Sequence, residues 1–195
     1  MDISPESPVK VTSMGHITEI QYMEKMNHSA RIKKLDADHY LLLDTGEIKD
    51  FEHWTSRKDS YNSLRKTFKR LRYLINNNFN GGGNELHVTL TYRENMQDKE
   101  RLAKDVEKFV KRLRYQYEGQ STMDYLQVVE PQGRGAWHVH FLARFNDIQK
   151  VFIENARLAE IWGHGFIKVR SLQNVDNIGA YLSAYLADVE LTADN

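Results

Sequence analysis

MDYLQVVEPQGRGAWHVHFLARF, residues 123–145, contains two β-prone runs on either side of Gly133-Arg134-Gly135. A glycine-rich break between β-branched and aromatic runs predicts a hairpin. In a strand, residues two apart share a face, so His138 and His140 project side by side while Val139 points to the other face. Folding the hairpin about Gly133 and Arg134 brings Glu130 opposite Trp137 or His138, with the register open by one residue. Two imidazoles and a carboxylate, with the remaining positions left to water, suit a divalent cation that polarises an oxyanion. By itself His-x-His is common in ordinary strands, so further residues have to carry the argument.

Outward from this hairpin the pattern is regular. ELHVTLTY, residues 85–92, alternates like a strand, and DKERLAKDVEKFVKRLRYQY, residues 98–117, sets Leu102, Val106, Phe109, Val110 and Leu113 on one helical face. VFIENARLAEIWG, residues 151–163, reads as a second helix and FIKVRSL, residues 166–172, as a strand. NVDNIGAYLSAYLADVEL, residues 174–191, reads as a closing helix capped by Asp176 or Asn177. The order β-α-β-β-α-β-α predicts an α+β fold, a ferredoxin-like or split β-α-β sheet, with helices over one face. Many functions share that architecture, so the fold alone assigns none.

Upstream, HYLLLDTGEIKDF places Asp44-Thr45-Gly46 as a turn between short strands. SRKDSYNSLRKTFKRLRYLINNNF then carries Leu64, Phe68, Leu71 and Ile75 at helical spacing and stops at NNNFNGGGN. The expected division is a β-rich extension with a hairpin over residues 1–55, a basic helix and glycine-rich hinge over 56–83, and a catalytic core over 84–195.

Composition narrows the class. The 195 residues are 41% hydrophobic and 28% charged, as in folded globular chains, and they include no cysteine, which excludes disulfides, zinc ribbons and cysteine nucleophiles. No apolar stretch approaches the roughly 20 residues of a membrane helix, and the N-terminus lacks an apolar signal core, so the cytosol is the expected location and no membrane partner is expected. Net charge is zero, yet Arg57–Arg72 holds seven Lys/Arg against Asp59, and Arg101–Arg114 six against Asp105 and Glu107. Long basic side chains on the wet face of a helix explain both runs without a partner.

The last helix adds a second chemistry. Tyr181 and Tyr185 are four apart, so both phenols share one helical face, one turn from each other. Tyrosines at that spacing also pack into cores. A phenol becomes a competent nucleophile at phosphorus where the leaving oxygen is stabilised, and two phenols allow two successive transfers.

Together the blocks resemble the HUH endonucleases, and within them the rolling-circle replication initiators of small bacterial plasmids and phages. Three stretches carry the resemblance in that family's order: HVTLTY (His87–Tyr92), EPQGRGA followed by HVHF (Glu130–Phe141), and YLSAY (Tyr181–Tyr185). It covers about half of the chain. The resemblance implies that His138 and His140 bind Mg²⁺ or Mn²⁺ with Glu130 as third ligand, and that Tyr181 and Tyr185 are the nucleophiles, with Tyr185 favoured for the first cleavage. The implied substrate is single-stranded or hairpin origin DNA, left as a 5′-phosphotyrosine with a free 3′-hydroxyl.

Many relatives carry lysine three residues after a catalytic tyrosine, where this chain has Ala184 and Asp188. Lys168 or Arg170 is the expected substitute, and Arg134 the basic residue expected nearest to phosphate. Tyr61, Phe68, Tyr73, Tyr115 and Trp137, lying among the charges, suit base stacking. No phosphate-binding loop occurs, so unwinding implies a host helicase and replication machinery in a bacterial cytoplasm. His87 reads as a packed or hydrogen-bonded histidine rather than a ligand, and His164, between two glycines, as a turn residue. Two competing readings remain: a metal-independent two-histidine phosphoesterase, from His87-Val-Thr89 and His138-Val-His140, and a non-catalytic single-strand-binding sheet. A chain ending soon after the tyrosine helix fits a whole small initiator or part of a longer one.

Overall fold

The computed structural model describes residues 4–23, 30–53 and 61–187, with the side chains of 61–64 and 185–187 left aside. It divides into two compact units, one of residues 1–14 and 18–70, the other of residues 15–17 and 71–195. In the first unit β1 (Val9–Met14) pairs with β2 (Ile17–Tyr22), while β3 (Ile32–Lys34), β4 (His39–Leu42) and β5 (Ile48–Asp50) form an antiparallel meander. The expected turn at Asp44–Gly46 is present: Leu42 and Glu47 pair across it, and Gly46 takes a positive φ of 72°. Helix α1 (Tyr61–Asn78) follows; the expected start of that helix at residues 56–60 lies outside the described residues.

The second unit is a mixed α+β structure built on one antiparallel sheet. Its elements are β6 (Glu85–Thr91), α2 (Lys99–Gln116), β7 (Met123–Pro131), β8 (Trp137–Phe145), α3 (Asn155–Trp162), β9 (Ile167–Ser171) and α4 (Ile178–Ala187), in the order predicted from sequence. The strands lie in the order β7-β8-β6-β9. Strands β6 and β7 run the same way with β8 between them, so a crossover, α2, has to join them.

Alternation divides the sheet into two faces. Leu86, Val88, Leu90, Val139, Phe141, Ala143 and Phe145 pack under α2 and α3, whose Val106, Phe109, Leu113, Leu158 and Trp162 complete one core. All five apolar residues predicted for the buried face of α2 are buried. Helix α2 begins where Asp98 accepts hydrogen bonds from the Glu100 and Arg101 amides, satisfying donors that the first turn leaves free. Helix α3 starts later than its sequence pattern suggests. Residues 151–154 are extended, burying Val151 and Ile153 and exposing Phe152, an alternation that serves packing better than a helical turn would.

Helices do not all lie over that face. Tyr181 of α4 meets His87 on the opposite one, with ring centroids 5.7 Å apart. There Glu85, buried on the same face, accepts from the backbone amides of Asn80, Gly81 and Gly82. The glycine run after α1 is thus a turn wrapped round a carboxylate. Asn177 caps α4 by accepting from the Ala180 amide, and Asn76 reaches both Asn177 and the Gly179 amide.

Candidate metal centre

Register on the face opposite α2 and α3 positions the site. Residues directly paired across an antiparallel ladder share a face. Glu130 pairs with His138, and His138 with Thr91; Val128 pairs with His140, and His140 with Thr89; His87 pairs with Leu142 on one side and Arg170 on the other. The one-residue ambiguity in the hairpin resolves to Glu130 opposite His138. A three-residue loop sets it: Gly135 donates its amide to the Gln132 carbonyl, and Gln132 pairs with Ala136. Gly135 has φ of 87°, the left-handed position that such loops require before the second strand.

Glu130 Oε1 lies 2.9 Å from His140 Nε2 and 3.5 Å from His138 Nδ1. Glu130, His138 and His140 each offer one donor atom, all within 4.8 Å of one another, and this cluster can hold a metal ion. The carboxylate is 14% exposed, His138 20% and His140 3%. Burial pushes the Glu130 carboxyl upward, but hydrogen bonds from His138 and His140 and their positive charge outweigh it, leaving the pKa at about 2. Glu130 is therefore an ionised acceptor at neutral pH. Its other oxygen, Oε2, is buried and meets no hydrogen-bond donor among the described residues. A buried carboxylate oxygen without a donor costs free energy, and a cation shared with the two imidazoles would offset that cost. The donor set, two imidazole nitrogens and a carboxylate oxygen, suits a borderline or hard divalent ion.

Behind this cluster stands His87, which the sequence reading kept out of the site. It is 2% exposed, its Nε2 is 3.0 Å from His140 Nδ1, and its Nδ1 is 3.3 Å from the Tyr181 hydroxyl. Burial first, then the positive charge of His140, Arg170, His138 and Lys168, lowers its pKa to about 3. The signal that could have found it is alternation, because His87, Thr89 and Thr91 share the face that meets His140 and His138.

Lys168, opposite Thr89, and Arg170, opposite His87, bring positive charge to the same face. Arg134 is exposed on the turn, where its guanidinium donates to the Tyr92 carbonyl and to Gln132 Oε1. Trp137 donates its indole N–H to the Gln97 carbonyl, with Lys99 over the ring. Tyr115 is 78% exposed on α2, across the sheet from the histidines. The Tyr185 side chain, like that of Tyr61, lies outside the described residues, as does the whole of Asp188. His164 sits beyond the αL glycine that ends α3, its Nε2 3.5 Å from Asp105 on the apolar side of the sheet.

Fold and site together define an α+β protein with a His-His-Glu cluster on the polar face of an antiparallel sheet. The chain belongs to the ORF2-type replication-associated protein family, whose model matches residues 85–190, just over half of the chain. That match spans every strand and helix from β6 to α4 and meets the expectation of a replication protein. Comparison with curated proteins and with solved structures gave no match. No helix among the described residues is long and apolar enough to cross a membrane.

Proposed function

We propose that the protein initiates rolling-circle replication as an HUH-type endonuclease, nicking single-stranded or hairpin origin DNA with a tyrosine. The observation that carries this reading is Glu130 Oε2, a buried carboxylate oxygen with no donor, beside two imidazoles on one sheet face of a replication-family chain. Further support comes from the strand order β7-β8-β6-β9, which is that of a split β-α-β sheet.

In this reading Glu130, His138 and His140 hold Mg²⁺ or Mn²⁺. Once bound, the cation supplies Lewis acidity to the scissile phosphate. A tyrosine oxygen forms the new bond to phosphorus, the bond to the 3′ oxygen breaks, and the phenol hydrogen ends on that oxygen. The products are a 5′-phosphotyrosine and a free 3′-hydroxyl for primer extension. Tyr185 is assigned the first cleavage and Tyr181 the later strand transfer. In support, the Tyr181 hydroxyl is bonded to the His87 nitrogen remote from His140, so two imidazoles separate it from Glu130. Lys168 and Arg170 are assigned to phosphate in place of the absent lysines, and Arg134 to the strand passing the turn. Host helicase and replication machinery in a bacterial cytoplasm complete the proposed setting.

The test is incubation with an origin hairpin oligonucleotide and Mn²⁺, followed by gel and peptide mapping for a covalent adduct. An adduct at Tyr185 that EDTA abolishes is the expected result. Adduct formation by a Tyr181→Phe/Tyr185→Phe double variant would overturn the tyrosine mechanism. Phosphodiester cleavage indifferent to EDTA would favour the two-histidine phosphoesterase, and binding without cleavage the non-catalytic sheet.

A further inference from the structure

Four side chains on the cation face form a single line. Glu130 Oε1 meets His140 Nε2 at 2.9 Å, His140 Nδ1 meets His87 Nε2 at 3.0 Å, and His87 Nδ1 meets the Tyr181 hydroxyl at 3.3 Å. His140 and His87 are both 2% exposed, and burial holds His87 neutral. A neutral imidazole has one N–H and one lone pair, so fixing the hydrogen at one end of such a line fixes every hydrogen along it. The ionised Glu130 can only accept. His140 therefore carries its hydrogen on Nε2, its Nδ1 accepts from His87 Nε2–H, and His87 Nδ1 accepts from the Tyr181 O–H.

That arrangement reverses if His140 offers Nε2 to a cation, because coordination needs the lone pair there. The His140 hydrogen then lies on Nδ1, His87 Nε2 becomes its acceptor, and His87 Nδ1–H donates to the phenol oxygen. Each ring keeps one hydrogen and Tyr181 keeps its own, so the reversal consumes and releases no proton. Outer partners that hold a ligating imidazole in one tautomer typically change metal affinity or activity by about 10- to 100-fold when removed. His87 stands in that place, and its far nitrogen reaches a candidate nucleophile.

We propose that His87 is a positioning residue: it fixes which nitrogen of His140 faces the cation and passes that choice to the Tyr181 hydroxyl. The inference rests on the metal-site reading above. Gln places an amide where His87 Nε2 lies, Asn places one where Nδ1 lies, and Phe keeps the ring without either bond. The experiment titrates Mn²⁺ into the full chain, wild type and variant, by calorimetry, with folding checked by circular dichroism. His87→Phe and His87→Asn should raise the dissociation constant about 10- to 100-fold, with His87→Gln recovering most of the loss. In ¹⁵N spectra of the wild type titrated with Mg²⁺, the His87 hydrogen should move from Nε2 to Nδ1.

Wild-type affinity in a folded His87→Phe protein overturns the proposal, as does a hydrogen that stays on Nε2. If the Phe variant does not fold, equal affinity of the Gln and Asn variants overturns it. His138→Ala separates the two levels. If it also binds Mn²⁺ as wild type, the metal site is refuted; if it alone loses binding, only the role of His87 falls.

Discussion

Two polar clusters flank the central sheet, and both are made of tyrosine, histidine and a carboxylate. On the apolar side Asp105, 5% exposed, receives the Tyr92 hydroxyl on Oδ2 at 3.2 Å, with Arg101 Nε 3.5 Å from the same oxygen and His164 Nε2 3.5 Å from Oδ1. Burial, then the Asp105 charge, raises the Tyr92 phenol pKa, which keeps it a neutral donor. On the polar side Tyr181, His87 and His140 lead to Glu130, of which Oε1 is shared by two imidazoles while Oε2 has no donor among the described residues. Residue types do not separate the two clusters. What separates them is saturation: Asp105 has polar partners at both oxygens, whereas Glu130 retains an acceptor that only a further group can satisfy.

The contrast is broken if the clusters respond alike to mutation. The largest expected effect is on chemistry: His140→Ala should lower adduct formation by about 100-fold or more, the scale at which one preorganised electrostatic contact acts, while Asp105→Ala leaves it near wild type below its melting temperature. Gel quantification of the adduct checks both. Next, Mn²⁺ at 100 times its dissociation constant should stabilise the wild type by about 2.7 kcal/mol, and Asp105→Ala equally, but not His138→Ala. Thermal melts with and without EDTA measure this. In the opposite direction, Asp105→Ala should cost about 2 kcal/mol by leaving the buried Tyr92 hydroxyl without its acceptor. The smallest effect falls to Tyr92→Phe, at about 1 kcal/mol, because both ends of that hydrogen bond are then altered without stranding a donor. Urea denaturation resolves the two, and equal losses would mean that the Tyr92–Asp105 bond is not what Asp105 contributes.

Much of this was legible in the chain. The β-α-β-β-α-β-α order, the hairpin about Gly133–Gly135 and the buried stripe of α2 follow from period and turn chemistry, which are local. The two histidines on one face, with Glu130 within a residue of facing them, are equally local. Less legible was α3, where burial of Val151 and Ile153 in an extended segment overrode a helical pattern. The glycine run looked like a hinge because the sequence cannot show that Glu85 turns back to bind its amides.

By itself the sequence determined which residues alternate, where the chain turns, and that Glu130, His138 and His140 belong to one hairpin. Those properties depend on neighbours within a few positions, where backbone geometry leaves little choice. Only the tertiary structure decided that His87, 53 positions from His140, lies at its other ring nitrogen, and that Tyr181, 94 positions from His87, closes the line. Likewise only the fold left Asp105 saturated and Glu130 Oε2 without a donor. Strand pairing and helix packing bring together groups distant in sequence, and burial sets the cost of a missing partner, so the chemistry of each carboxylate is fixed by what the fold places around it.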